Sequence, residues 1–429
     1  MSGSPGVSEA HLRQPDQSGL RALDIASATA RMRAGNRTAL DASRAADALS
    51  RAVALWRDRN YARRRDAIAQ IARQAGYSVA LLDASLDALL KPFSHTALNS
   101  LAARVASDAR PDRPRVLGFI MAGNVAGAGT HEIAIGLIAG AGLVVKTAST
   151  EPVFFDQFAR TLAELDREVA SRLIVFNWNR TRDDLTAAMA SNCDRVLAYG
   201  DDATIDSLHN KPTVIGFGSR VSGAVVAPGA LVPARIDAVA GALVRDVVLF
   251  EQLGCLSPHQ IFVVNRSSDA ARDFAARIAT ALDRVAHSMP PAKIPVRDAA
   301  SIRGIRERAR WRQISGEPIE LFEGTDLGWT VVFDPQSEQS FKVSPGFRTV
   351  YVTGVSDEPQ VRASLAAASG SGRIEAIAVA GDDVETRRTA AMLATLGISY
   401  ICAPGEMQSP PLTWRHGGGA FLDMMVTSR

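Results

Sequence analysis

The chain has 429 residues, 47% of them hydrophobic, which is material for two to three domains at about 150 residues each. Forty-eight Lys and Arg stand against 45 Asp and Glu, a net charge of +3, too small for a broad nucleic-acid or anionic-membrane footprint. Three widely separated cysteines, Cys193, Cys255 and Cys402, form neither a disulfide framework nor a metal cluster and point to a reducing, cytoplasmic setting.

Residues 1–20 are polar and carry Gly, Ser and Pro. They read as a disordered tail without the charged-then-apolar layout of a secretion signal. From Leu20 to Ala106 the pattern is helical, with Leu40, Ala46, Leu49, Val53 and Trp56 at helical spacing and Ile68, Ile71 and Ala72 continuing it. The Pro-bearing stretch 108–114 marks a boundary. Beyond it, short apolar runs alternate with amphipathic stretches. Strands are expected at 116–121, 143–147, 173–178, 195–199, 213–217 and 224–227. Helices are expected between them at 130–139, 153–169, 182–190 and 203–209. This alternation predicts βαβ units and a parallel sheet. A helix at 235–249 leads into a second such region. Its expected strands are 260–264, 318–322, 330–333, 349–353, 376–380 and 400–403; its expected helices are 269–286, 299–311 and 383–396. The fold class is therefore α/β: two α/β domains with parallel-rich sheets behind a helical N-terminal region. The expected boundaries are 21–250, 251–405 and a Gly-rich tail at 406–429. Apolar runs such as 133–145 are broken by glycine and fall short of the ~20 residues a membrane span needs.

Cys255 stands in a loop between Gly254 and Leu256-Ser257-Pro258. A thiolate there is a strong nucleophile; the competing reading is a small packed hydrophobe. Cys193 and Cys402 lie in or beside apolar strand patterns and read as packing residues. The run 118–129 is Gly-rich, follows a strand and opens a helix. It fails the dinucleotide pattern G-x-G-x-x-G, because Glu132 stands where the third glycine belongs. Asn124, at the end of the first strand, can donate to a developing oxyanion or simply form a turn. Residues 140–147 imitate a phosphate-binding loop, but Val145 precedes Lys146. Lys146 sits at a strand end, where open parallel sheets bind nucleotides; it reads as a contact to ribose or phosphate, or as a solvated lysine. It is one of five lysines. The turn after Tyr199, at Gly200-Asp201-Asp202, offers either a pyrophosphate contact or an Asp helix cap. Residues 414–419 read as a segment ordered over a ligand or as a frayed end. The histidines, among them His131, His209, His259 and His416, lack ligand spacing, and no metal is expected.

Taken in order, five segments resemble the aldehyde dehydrogenase superfamily, and within it the acyl-CoA reductase branch known from bacterial bioluminescence. They are residues 120–125 (Ile-Met-Ala-Gly-Asn-Val), 144–149 (Val-Val-Lys-Thr-Ala-Ser), 196–201 (Val-Leu-Ala-Tyr-Gly-Asp), 251–259 (Glu-Gln-Leu-Gly-Cys-Leu-Ser-Pro-His) and 411–417 (Pro-Leu-Thr-Trp-Arg-His-Gly). The string around Cys255 is the most specific, and the resemblance runs from about residue 40 to the C-terminus.

The resemblance implies that Cys255 is the acyl-accepting nucleophile. Asn124 and the Cys255 backbone N–H would form the oxyanion hole. Lys146, with Thr147 and Ser149, would hold the cofactor, and Gly200 would lie near its pyrophosphate. It places cofactor binding in the first α/β domain and the nucleophile at the start of the second, with the active site in the cleft between them and the tail returning toward it. Where hydrolytic relatives carry a glutamate base, residues 214–220 hold no carboxylate, which favours reduction of a thioester over hydrolysis. Ser149, where NAD-preferring relatives carry an acid, leans toward NADPH with NADH as the alternative. The implied function is NADPH-dependent reduction of an acyl thioester, from CoA or a carrier protein, to a fatty aldehyde. An acyl-transferring partner enzyme and a homo-oligomer fit the same reading. The alternatives are a CoA-acylating dehydrogenase running oxidatively and a non-catalytic acyl- or nucleotide-binding subunit.

Overall fold

The computed structural model describes residues 19–35, 40–107, 115–208, 210–265, 267–335, 340–370, 373–419 and 421. They divide into two compact units. The first takes the described residues within Met1–Gln74, Leu90–Gly218 and Ala420–Arg429, and the second those within Ala75–Leu89 and Ser219–Gly419.

The described residues open with five helices: α1 (Ala22–Gly35), α2 (Ala42–Arg57), α3 (Ala62–Ala75), α4 (Val79–Leu90) and α5 (His95–Ser107). Asp41 caps α2 by accepting the Ser43 N–H, and the stripe Ala45, Leu49, Ala52, Val53 and Trp56 is buried, as helical periodicity requires. Trp56 is fully buried. Its indole N–H donates to Thr161 at 3.0 Å and its ring meets Phe154 edge-on at 5.0 Å.

Next come β1 (Val116–Ile120), α6 (Thr130–Ile138), β2 (Gly142–Thr147), α7 (Val153–Leu165), α8 (Arg167–Ala170), β3 (Leu173–Asn177), α9 (Asp183–Asn192), β4 (Arg195–Tyr199), α10 (Asp202–Asp206) and β5 (Val214–Phe217). The five strands form one sheet in the order β3-β2-β1-β4-β5, parallel throughout. The strand order reverses between β1 and β4, which is the switch point where such sheets seat ligands at their carboxyl edge. The expected helix 153–169 is broken. Asp166 turns out of α7 and caps α8, accepting the Glu168 and Val169 N–H groups while Arg44 binds its carboxylate. Of the expected helix 203–209, His209 lies outside the described residues.

The second unit holds β6 (Val221–Val226), α11 (Ile236–Val248), β7 (Pro258–Val264), α12 (Ser268–Ser288), α13 (Val296–Ile314), β8 (Glu320–Glu323), β9 (Thr330–Phe333), β10 (Thr349–Val355), α14 (Glu358–Gly370), β11 (Ile374–Ala380), α15 (Asp383–Thr395) and β12 (Tyr400–Cys402). Its sheet runs β12-β11-β6-β7-β10-β9-β8, and among the described residues only the β8–β9 pair is antiparallel. β7 and β11 are buried along their whole length, as central parallel strands are.

Here the expected domain boundary after residue 250 needs correction. β6 pairs with β7 and β11, so the chain passes between units at Gly218. Hydrophobic pattern identifies a strand but not the sheet it joins. The segment Ala75–Leu89 also belongs to the second unit, where Leu81 enters the core with Val247 and Phe274. Among the described residues, no helix is long and apolar enough to cross a membrane.

Candidate active site

Cys255 sits in a short turn between α11 and β7, at the amino edge of the second sheet. Ahead of it Phe250, Glu251 and Gln252 take φ values of 55°, 54° and 61°. Three successive non-glycine residues in the left-handed region cost about 1–2 kcal/mol each, so their surroundings must impose the shape. The Phe250 N–H donates to Ser85 at 3.1 Å. The Gln252 amide donates to the carbonyls of Pro258 at 2.7 Å and Thr349 at 2.9 Å, and accepts the Thr349 N–H at 2.7 Å. The Glu251 carbonyl accepts the Phe347 N–H at 2.9 Å. Arg348 donates to the Glu251 carboxylate at 2.6 and 3.1 Å, and the Ala292 N–H adds a bond at 3.1 Å. Burial holds the Glu251 carboxyl above its usual range, against the opposing pull of the Arg348 guanidinium.

The turn 254–257 is closed by a bond from the Ser257 N–H to the Gly254 carbonyl at 3.0 Å. The Cys255 carbonyl accepts the Ser222 hydroxyl at 2.7 Å. The Cys255 N–H donates to no acceptor among the described residues. The residue itself is partly exposed. Burial pushes the Cys193 and Cys402 thiols up to about 12, which disfavours the thiolate at both. A cysteine that is only partly buried, with an unspent N–H, can take an acyl group and steady the oxyanion that forms.

Several neighbours of this turn were not anticipated from the sequence. Gln408 donates to Ser257 and to the Asp246 carbonyl, both at 3.1 Å. The Asp246 carboxylate accepts the N–H groups of Gly405 at 2.6 Å and Met407 at 3.1 Å, and burial lifts its pKa to about 7. The 405–408 segment is thereby tied to the Cys255 turn. Further on, Trp414 stacks on His416 at 4.4 Å and the Gly417 N–H donates to Glu375. His259 is buried and held down to about 4. Its Nδ1 accepts the Ser344 N–H at 3.1 Å, so the neutral ring carries its proton on Nε2. It anchors the 342–346 segment and is no proton shuttle near neutrality.

In the first unit, Lys146 lies at the carboxyl end of β2, in register with Ile120 of β1. It is 8% exposed, and desolvation lowers its pKa. Its ammonium has no acceptor among the described residues. A largely buried lysine whose ammonium meets no protein acceptor among the described residues, at this edge, fits a ligand bearing hydroxyls or phosphate. Asn124, in the loop after β1, and Ser149, after β2, are both exposed.

Thr147 has a structural role between strands. Its side chain is fully buried; its hydroxyl donates to the Phe176 carbonyl at 3.2 Å and accepts from Asn177 at 2.8 Å. It ties β2 to β3, and its hydroxyl proton is spent on that link. The Gly200 N–H is likewise spent on the Phe217 carbonyl at 3.3 Å. Asp201 caps the short α10, accepting the Thr204 N–H at 2.8 Å. Gly200 is left with the absence of a side chain as its contribution.

Comparisons with known proteins agree on the family. The sequence model described as acyl-CoA reductase (LuxC) matches residues 39–428. A long-chain acyl-protein thioester reductase of Photorhabdus laumondii is 24% identical over 260 residues, covering 56% of this chain and 53% of that protein. A protein of the same description from Vibrio harveyi is 22% identical over 320 residues, covering 69% and 64%. The chain thus spans between half and two thirds of the length of these relatives. Among solved structures, a salicylaldehyde dehydrogenase from Pseudomonas putida superposes with a TM-score of 0.70 at 16% identity, covering 94% of this chain and 88% of that one. The NAD+ complex of an aldehyde dehydrogenase from Bacillus cereus gives 0.66 at 13% identity, covering 90% and 81%. The fold is that of the aldehyde dehydrogenases.

Proposed function

Since this chain belongs to the acyl-CoA reductase (LuxC) family, we propose that it reduces an acyl thioester to the aldehyde through an acyl-cysteine on Cys255, with NADPH as reductant. The observation that carries the reading is the Cys255 turn: a cysteine that is only partly buried and carries a backbone N–H without an acceptor among the described residues.

Cys255 as thiolate attacks the thioester carbonyl. A carbon–sulfur bond forms and the π pair moves to oxygen, where the Cys255 N–H receives it. The oxyanion collapses, the donor's thiolate leaves and takes up a proton, and the acyl group stays on Cys255. NADPH, when bound, supplies the hydride that reduces this thioester. Hydride addition leaves a tetrahedral oxyanion on Cys255; its electron pair re-forms the carbonyl, the carbon–sulfur bond breaks, aldehyde is released and the thiolate is restored. Covalent capture divides one difficult exchange into two easier ones.

On the family resemblance, Asn124 is the second oxyanion donor. Lys146 would hold the cofactor, for which its unanswered ammonium provides the support. Ser149 would face the 2′-phosphate, and Gly200 would leave room near the pyrophosphate. Residues 214–220 contain no carboxylate to activate water, so the acyl-cysteine persists until it meets hydride. The curated relatives are named for acyl-protein thioesters, so carrier-bound as well as CoA-bound acyl groups are candidate donors here.

The test is NADPH consumption with decanoyl-CoA, together with detection of decanal. Turnover by the wild type and its loss in Cys255→Ser are expected; turnover retained by Cys255→Ser would overturn the mechanism.

A further inference from the structure

We propose that the Glu251–Arg348 ion pair is a positioning device for the acyl-transfer step, holding the turn that aims the Cys255 sulfur and N–H. The inference rests on the reading of Cys255 as nucleophile.

Both partners are essentially inaccessible, at 1% and 0% exposure. A buried ion pair is weak evidence for stability, because well-packed hydrophobic residues do as well or better. This pair is placed where shape matters more than stability. Glu251 is the middle residue of the left-handed run 250–252, and Arg348 belongs to a second such run, with Phe347 at φ 50° and Arg348 at φ 57°. The two runs face each other and are stitched together by the Phe347 N–H on the Glu251 carbonyl, by the Arg348 fork on the Glu251 carboxylate and by the paired bonds between Gln252 and Thr349. The third arm of Arg348 reaches the Met289 carbonyl at 2.9 Å, while the Ala292 N–H reaches Glu251. One ion pair thus fixes three segments against one another, four residues ahead of Cys255. A planar guanidinium held in two directions sets orientation as a point charge cannot.

Positioning can be separated from general structural support by comparing two reactions of the same sulfur. Acylation by decanoyl-CoA without NADPH needs both the sulfur and the oxyanion donor in place. Alkylation by iodoacetamide, mapped to the Cys255 peptide, needs only an accessible thiolate. A displacement of about 1 Å can cost about 100-fold in a positioned reaction. In Glu251→Ala, acylation is expected to fall about 100-fold while alkylation changes less than threefold. Glu251→Gln and Arg348→Lys, which keep part of the hydrogen bonding, are expected to fall between, near 10-fold. Equal losses in both reactions, or acylation within twofold of wild type, would overturn the proposal. If Glu251→Ala does not fold, the ratio of the two rates in Glu251→Gln and Arg348→Lys decides, and a ratio equal to wild type overturns it. A wild-type protein that alkylates but never acylates would instead refute the function on which the inference rests.

Discussion

The Ser222 hydroxyl donates to the Cys255 carbonyl at 2.7 Å, binding the second residue of β6 to the turn that carries the nucleophile. The same oxygen accepts the Ala376 N–H at 3.0 Å, and Ser222 is fully buried. Ser222→Ala strands both partners at once. It is expected to lower unfolding free energy by about 1–3 kcal/mol and to slow acylation of Cys255. Urea denaturation checks the first effect and single-turnover acylation the second.

Gly346 lies across from the same turn with φ 83°, and a Cβ there would stand 2.9 Å from a Leu253 methyl and 3.3 Å from the Gln252 carbonyl. Gly346→Ala combines left-handed strain with a push on the turn. The expected cost is about 1–3 kcal/mol, with a larger loss of acylation than of iodoacetamide labelling.

Lys146 gives a prediction with two signs. Partial desolvation already lowers the Lys146 pKa, so Lys146→Met is expected to leave the cofactor-free protein at least as stable as wild type. Loss of a charge-assisted contact should raise KM for NADPH by about 10- to 100-fold, with acylation by decanoyl-CoA unaffected. Thermal melts with and without NADPH, beside steady-state kinetics, check both. A variant less stable without cofactor would contradict the placement.

Asp246 supplies a pH dependence. Its pKa is lifted from 3.8 to about 7 by burial, against the pull of the Gly405 and Met407 N–H groups. The folded chain therefore keeps a proton that the unfolded chain releases. This contribution is full below about pH 4, declines as pH rises through about 7 and is spent above it, by at most about 4 kcal/mol. Urea midpoints between pH 5 and 8 are expected to fall more steeply in wild type than in Asp246→Asn. Parallel slopes would contradict it.

The strands β1 to β5 and β7 were legible because each is a short apolar run bounded by turn residues. α14 was not anticipated: its buried positions include Val361 and Leu365, but the Ala and Ser between them blur the stripe. β6 was read as a strand and placed in the wrong unit, because its partners come later in the chain. Cys255 and Lys146 stood out by local setting. Glu251 lay within the most specific motif, yet its role needs Arg348, which is 97 positions away. Gln408 meets Asp246 across 162 positions. The packing of Thr147 was hidden for the same reason: nothing local reveals that its hydroxyl donates to Phe176 and accepts from Asn177.

The most direct test of the account is the intact mass of the protein after incubation with decanoyl-CoA in the absence of NADPH. One decanoyl group, mapped to the peptide bearing Cys255, absent from Cys255→Ser and discharged as decanal when NADPH is added, is the expected result. A wild-type protein that keeps its unmodified mass while decanoyl-CoA is reduced, or an adduct on Cys193 or Cys402 instead, would contradict it.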